Sequence, residues 1–327
     1  MEFFFFMTVL AATGLLVCRA MQGVVAVADQ LVIYHAGSLS LPFEKMEKAF
    51  KTSFPDISLV RESGGSTELA QRIAEDQEPA DILVSADYSV IDKILIPEYA
   101  DWNICFATNQ LVLCYTENSR HAAEINQNNW YAILARKEVV WGHSDPDIDP
   151  CGYRSLMVLQ LAETYYDKKG LCETLIANLS KENIRPKAAE LVEMLKAGKM
   201  DYAWEYLSVA VQHGVNYLAL PDEINLGSNE RNAFYSLASV QVSEKNSGAR
   251  TEKKGSSCTY VVTILKTSKH QKAAEVFLTY LLNPNGGLKI LAEMGQPPIV
   301  PCRLSSEKMA PLLPYTLSET CQLSQRG

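Results

Sequence analysis

At 327 residues, with 47% apolar and 21% charged side chains, the chain exceeds the ~250–300 residues at which one core stops growing, so two lobes are expected. Its formal charge of −8 excludes broad electrostatic attraction to nucleic-acid backbones or anionic membranes. A small anion held by local dipoles is not excluded.

Met1 to Ala28 reads as an export segment. Phe3 to Val17 is apolar but short for a membrane span, and Ala26-Val27-Ala28 has the small-x-small form of a cleavage site. Glu2 stands where a positive residue is usual. Setting Cys18 aside leaves seven of the eight cysteines, with no C-x-x-C pair and no His-rich tract, so neither a disulfide framework nor a zinc site is indicated.

Gln30 to Ala36 is an apolar, β-branched run of the kind that forms a buried parallel strand. It ends in Gly37-Ser38-Leu39-Ser40, and Pro42 then opens a helix with Phe43, Met46, Ala49 and Phe50 on one face. Ile57 to Val60 is a second strand, followed by Ser63-Gly64-Gly65-Ser66-Thr67 and a helix from Glu68 to Ala74. Asp81 to Ser85 is a third, leading into Ala86-Asp87 and another helical segment. Two Gly/Ser turns between a strand and a helix place hydroxyls and free N–H groups at the carboxyl edge of one parallel sheet, where α/β folds bind ligands.

Asn103 to Tyr115 is a long apolar run around Ala107-Thr108-Asn109-Gln110, suited to strands that leave one lobe and enter another. Glu138 to Trp141 reads as a strand, and Asp145 to Arg154 (Asp-Pro-Asp-Ile-Asp-Pro-Cys-Gly-Tyr-Arg) as a tight loop before a helix. Pro186 to Ala197 is an amphipathic helix, and Asp201 to Val211 carries Trp204, Glu205, Tyr206 and Ser208. Leu226 to Ser257 is polar, with Glu252 to Ser257 as an exposed hairpin tip or loop. Tyr260 to Leu265 is strand-like, and His270 to Leu282 is a helix ended by Asn-Pro-Asn-Gly-Gly.

Local sequence alone favours bland roles. Ser38 and Ser66 read as helix caps, Asp149 as a turn acid, Glu205 as a solvated charge, Tyr206 as a core or rim aromatic, and Arg154 as a neutraliser of the acid cluster. His143, Asp149 and Cys151 lie close in sequence, but thiol catalysis needs them assembled in space, and no enzyme is expected.

Four motifs reverse these odds by their order: Val-Ile-Tyr-His-Ala-Gly-Ser-Leu ending at Leu39, Ser63 to Ile73, Pro79 to Asp87, and Asp149 to Ser155. Together they resemble the tungstate/molybdate-binding proteins of ABC importers, archaeal-type branch. The segment from Val262 through Phe277 to the Gly-Gly break is similar to the usual end of these receptors.

The resemblance implies an α/β, two-lobed periplasmic binding protein fold of class II, each lobe a sheet flanked by helices. Residues 29–112 and 226–327 would form lobe 1, residues 113–225 lobe 2, and residues 1–28 the export signal or N-terminal anchor. It implies a monomer, periplasmic or tethered to the outer face of the cytoplasmic membrane. Such a receptor captures tungstate or molybdate and delivers it to an ABC permease and its ATPase, with no cofactor and no nucleic-acid partner. It carries over Ser38 and Ser66 as lobe-1 donors, Cys151 or its neighbours' N–H groups and Tyr206 as lobe-2 donors, and the carboxylates of Asp149 and Glu205 as groups that approach the metal of the bound oxyanion. The alternatives are another tetrahedral oxyanion, phosphate or sulfate, or a ligand-sensing module of the same fold.

A dianion without protons is best held by donors alone. Two like charges ~4 Å apart repel by ~4 kcal/mol at an effective dielectric of ~20. Hexavalent tungsten and molybdenum can offset that cost by accepting further oxygen ligands, whereas sulfur in sulfate cannot, so the acids would also discriminate against sulfate.

Overall fold

The computed structural model describes residues 29–321 apart from 148, 187 and 244–249. The export-segment reading therefore lies outside the described residues. Among these, no helix is long and apolar enough to cross a membrane.

In chain order the strands are β1 (Asp29–Ala36), β2 (Ile57–Gly64), β3 (Ile82–Ser85), β4 (Ile104–Asn109), β5 (Leu111–Tyr115), β6 (Trp141–Ser144), β7 (Ile184–Arg185), β8 (Tyr202–Tyr206), β9 (Asn216–Ala219), β10 (Ser239–Ser243), β11 (Arg250–Lys254), β12 (Cys258–Ile264) and β13 (Pro298–Leu304). The helices that matter below are α1 (Ser40–Ser53), α2 (Ser66–Ala74), α3 (Pro150–Tyr165), α4 (Ala188–Lys196), α5 (Leu207–His213) and α6 (Gln271–Leu281). One sheet has the order β13-β4-β12-β3-β1-β2, a second the order β7-β6-β8-β5-β9, and β10 pairs with β11 in a separate ribbon.

In the first sheet β1 runs parallel to both β2 and β3. Leu31 and Ile33 pack on one face with Phe43, Met46 and Phe50 of α1 and Phe277 of α6. Tyr34 and Leu83 pack on the other with Leu69 and Ile73 of α2. Burial on both faces is why β1 and β3 read as continuous apolar runs. Ala49, expected on the inner face of α1, is exposed.

The second sheet is likewise covered on both sides. Trp130, Trp141, Met157 and Trp204 fill one core, in which Trp130 meets Trp204 edge-on at 5.3 Å between centroids. Val112, Cys114, Leu191, Leu195 and Ala203 fill the other. Leu226, Tyr235 and Cys258 also belong to the tryptophan-rich core.

Two readings of the sequence need correction. Pro150 to Arg154 are not loop but the start of α3, with Pro150 in the first turn, where its missing N–H costs nothing and its fixed φ suits the helix. Glu252 to Lys254 are not a hairpin tip but part of β11, whose Lys253 and Glu252 face Val240 and Gln241 of β10. Their charges suit a narrow, exposed ribbon, where they deter edge pairing.

A single residue, Gln110, separates β4 of the first sheet from β5 of the second. Asn109 beside it is 1% exposed. Its amide donates to Ser208 Oγ at 2.8 Å and Tyr260 Oη at 3.0 Å, and its oxygen accepts from the N–H groups of Gln110 and Ser208. All four hydrogen-bonding positions of the side chain are used. Asn109→Ala takes away the amide bonded to the buried Ser208 hydroxyl and the acceptor of the Gln110 and Ser208 N–H groups, and leaves Tyr260 with Ser38 alone, so urea unfolding should show a loss of about 1–3 kcal/mol. A change below about 0.5 kcal/mol would mean that the junction does not depend on this side chain.

Candidate functional site

The lobe-1 hydroxyls lie where two parallel strands end. Ser38 sits in a short 3-10 turn directly after β1. Its Oγ lies 2.8 Å from Tyr260 Oη, a pair in which either hydroxyl can donate, and the tyrosine oxygen also accepts from the Asn109 amide. Ser66 opens α2 after β2, and its Oγ accepts the N–H of Ala86 at 3.0 Å. In Ser66 a protein donor occupies the oxygen, which leaves the hydroxyl hydrogen to be offered outward.

The lobe-2 residues collect at the carboxyl end of β8 and the start of α3. Asp149 caps α3, accepting the N–H of Cys151 at 3.0 Å. Cys151 is fully buried, and its thiol points at the carbonyl of Trp204, 3.7 Å away. Burial, reinforced by the charges of Glu205 and Asp149, pushes the thiol far above its ordinary range, so it is not a thiolate. Both donors expected of Cys151 are thus engaged inside the protein. Among the described residues His143 makes no hydrogen bond to it; the ring Nδ1 lies 2.6 Å from the Ser144 carbonyl, and burial depresses the basicity of the ring.

Glu205 is completely inaccessible, and among the described residues neither carboxyl oxygen has a hydrogen-bond partner of good geometry. Burial, then the charge of Asp149, raises its pKa well above the usual carboxylate value, with the backbone N–H of Tyr206 pulling the other way. This is not the solvated charge that local sequence suggests. A buried acid without donors is costly unless it serves a ligand.

Tyr206 ends β8 and precedes α5. Its oxygen accepts from Arg154 Nη1 at 2.6 Å, so it repeats the pattern of Ser66. Among the described residues Arg154 forms no ion pair with the acids around it, and its one hydrogen bond goes to this tyrosine. Asp149, Cys151, Glu205 and Tyr206 are therefore gathered at one sheet edge. Ser38 reaches the same edge through Tyr260, Asn109 and Ser208, the last two residues beyond Tyr206.

Sequence reasoning missed Ser144. Its Oγ is buried without a partner, and continuing the parallel register of β6 on β8 (Trp141 opposite Tyr202, Gly142 opposite Ala203) sets it level with Glu205. It also missed Gln296, which is fully buried and donates to the Ser38 carbonyl at 3.1 Å while its own oxygen has no partner. Neither carries a local signal, because what marks them is an absence of partners.

Such an arrangement offers hydroxyl donors from two lobes beside an acid held in a dry environment. It suits an acceptor-only ligand that can also take up a carboxylate. Among the described residues no cluster of three or more His, Cys, Asp or Glu could hold a metal ion on its own.

Relatives and solved structures share this frame. An uncharacterized solute-binding protein of Petrotoga mobilis is 43% identical over 275 residues, covering 84% of this chain and 85% of its own. The molybdate/tungstate-binding protein WtpA of Pyrococcus abyssi is 36% identical over 289 residues, covering 79% and 81%. The periplasmic molybdate-binding protein of Azotobacter vinelandii superposes with a TM-score of 0.56 at 18% identity, over 81% of this chain and 98% of that one, which shows the periplasmic binding protein fold. Residues 31–295 match the family described as bacterial extracellular solute-binding protein, and the chain belongs to that family.

Proposed function

We propose that this solute-binding protein captures tungstate or molybdate between its lobes and presents it to an ABC permease and its ATPase. The observation that carries the reading is the shared state of Ser66 and Tyr206, whose oxygens already accept from the Ala86 N–H and from Arg154, with the Ser38 hydroxyl paired to Tyr260. Ser66 and Tyr206 each have a proton to give, one from each lobe. A fully deprotonated oxyanion needs that set.

Glu205, with Asp149 beside it, then distinguishes among such anions. In binding, Asp149 leaves the Cys151 N–H to reach the metal, and the freed N–H donates to an oxo group, so one acid supplies both a ligand and a donor. The two lobes close over the anion about the β4–β5 junction. The name of the Pyrococcus relative supports the choice of ligand. No cofactor beyond the cargo, and no catalysis, belongs to this reading, in which the receptor acts as a monomer outside the cytoplasmic membrane, free or tethered.

Calorimetric titration with tungstate, molybdate, sulfate and phosphate tests it. Several charge-assisted hydrogen bonds of ~1.5–3 kcal/mol each suffice for a dissociation constant in the nanomolar range after the costs of association. Tungstate and molybdate are expected to bind at least about 100-fold tighter than sulfate or phosphate. A tighter response to either of the latter overturns the reading.

A further inference from the structure

Arg154 lies one turn into α3 and is 4% exposed. Its guanidinium makes one hydrogen bond among the described residues, to Tyr206, and lies over the rings of Tyr153 and Tyr206 at 5.7 and 5.9 Å. Among the described residues no carboxylate comes within the 4.0 Å of an ion pair. A buried cation is ordinarily paired, since desolvation is otherwise uncompensated. Four further N–H donors remain on the fork.

Those donors border a cavity of about 540 Å³. Arg154 and Tyr153 of lobe 2 line it from one side and Asp87 and Lys93 of lobe 1 from the other, with Lys253 and Lys254 of β11 at its mouth. Asp87 is turned to its own backbone, where it caps the next helix through the Ser89 N–H at 2.8 Å. Glu252 lines the cavity too, and the Asp87 charge favours the guanidinium from a distance, so among the described residues the positive charge is held between the lobes without an ion-paired carboxylate.

We propose that Arg154 is a positioning and specificity-determining residue for oxyanion capture. It fixes the Tyr206 hydroxyl as a donor and supplies the charge that lets a dianion settle beside two carboxylates. The inference rests on the oxyanion reading above and adds a residue to it. Because Arg154 forms no ion pair among the described residues, its removal separates binding from stability.

Arg154→Met, Arg154→Lys, Tyr206→Phe, Asp87→Asn and the Arg154→Met/Tyr206→Phe double variant are titrated with tungstate and melted without it. Arg154→Met is expected to bind about 100-fold more weakly, with an unchanged or higher melting temperature. Arg154→Lys, which keeps the charge but not the planar fork, should fall between it and wild type. Tyr206→Phe should lose about tenfold, and the double variant should bind no more weakly than Arg154→Met, because the tyrosine hydroxyl contributes only while the arginine holds it as a donor. Asp87→Asn should stay within about threefold of wild type.

A lower melting temperature for Arg154→Met with affinity within about threefold of wild type makes the arginine merely structural and overturns the proposal. So do fully multiplying losses in the double variant, or an Asp87→Asn loss equal to that of Arg154→Met, which would reveal a tie between lobes. Failure of the wild-type protein to bind tungstate instead removes the oxyanion reading itself.

Discussion

Glu205→Gln is expected to stabilise the empty protein at neutral pH while abolishing its preference for tungstate. The wild-type carboxyl is fully buried and, among the described residues, neither oxygen has a hydrogen-bond partner of good geometry, so removing the cost of ionising it is worth about 1–3 kcal/mol. The pH dependence has a definite sign. Burial and the Asp149 charge raise the folded-state pKa well above the ordinary 4.5. Over that interval the folded chain keeps a proton that the unfolded chain has released. The stabilising contribution of the proton is complete below 4.5 and is lost as pH rises through the raised value.

The melting-temperature gap between the variant and wild type should accordingly be small at acid pH and widen towards neutrality. Tungstate affinity should fall by at least about 100-fold, the upper range seen when even supporting groups around a metal are lost. Sulfate affinity should be unchanged or higher, since sulfur takes no carboxylate. An unaltered margin of tungstate over sulfate would remove Glu205 from the site, and a gap that narrows with rising pH would contradict its buried, protonated state.

Gly152→Ala carries the second large effect. A Cβ there would lie 2.1 Å from the Ser144 carbonyl oxygen and 2.8 Å from the Asp145 carbonyl carbon and Pro146 nitrogen. These are backbone atoms, so no side chain can turn aside. The start of α3 must move off the end of β6, at a cost of about 3 kcal/mol or more. The same movement carries away Asp149 and the Cys151 N–H, so tungstate affinity should drop at least about tenfold in whatever fraction folds. Denaturant unfolding reads the first effect and calorimetry the second. Stability within about 0.5 kcal/mol of wild type would show that α3 does not depend on this close approach.

The Gly152 contact also shows where the sequence misleads. Asp-Pro-Cys-Gly has the composition of a turn, yet the proline is in the first helical turn and the glycine is there because helix and strand backbones touch. Local composition cannot tell a glycine that permits a bend from one that permits proximity. By contrast β1 and β3 are legible because burial on both faces leaves an unbroken apolar run. The β4–β5 break is legible at Asn109-Gln110, where polar residues interrupt such a run.

The site residues follow the same division. Ser38 and Ser66 can be seen as hydroxyls at strand-to-helix turns, but the groups they bond to, Tyr260 and Ala86, lie 222 and 20 residues away. Glu205 gives no local hint that its carboxyl is dry, and Arg154 none that its partner is a tyrosine 52 residues on. For Cys151 or its neighbours' N–H groups as donors, the chain order gives no hint that the Cys151 N–H and thiol turn to Asp149 and the Trp204 carbonyl. What the chain order cannot convey is which polar atoms are left over once the protein has satisfied itself.

The edge-on contact of Trp130 with Trp204 has a practical consequence. Trp204 directly precedes Glu205, and the indole N–H groups of Trp204 and Trp141 are buried without acceptors. Three of the four tryptophans therefore share the core of one lobe, while Trp102 lies in the core of the other. The emission of the native protein is weighted towards the lobe that holds the acids, with Trp102 as a distant reference. The receptor carries its own optical probe, and a change of charge one residue from Trp204 can be followed without attaching a dye.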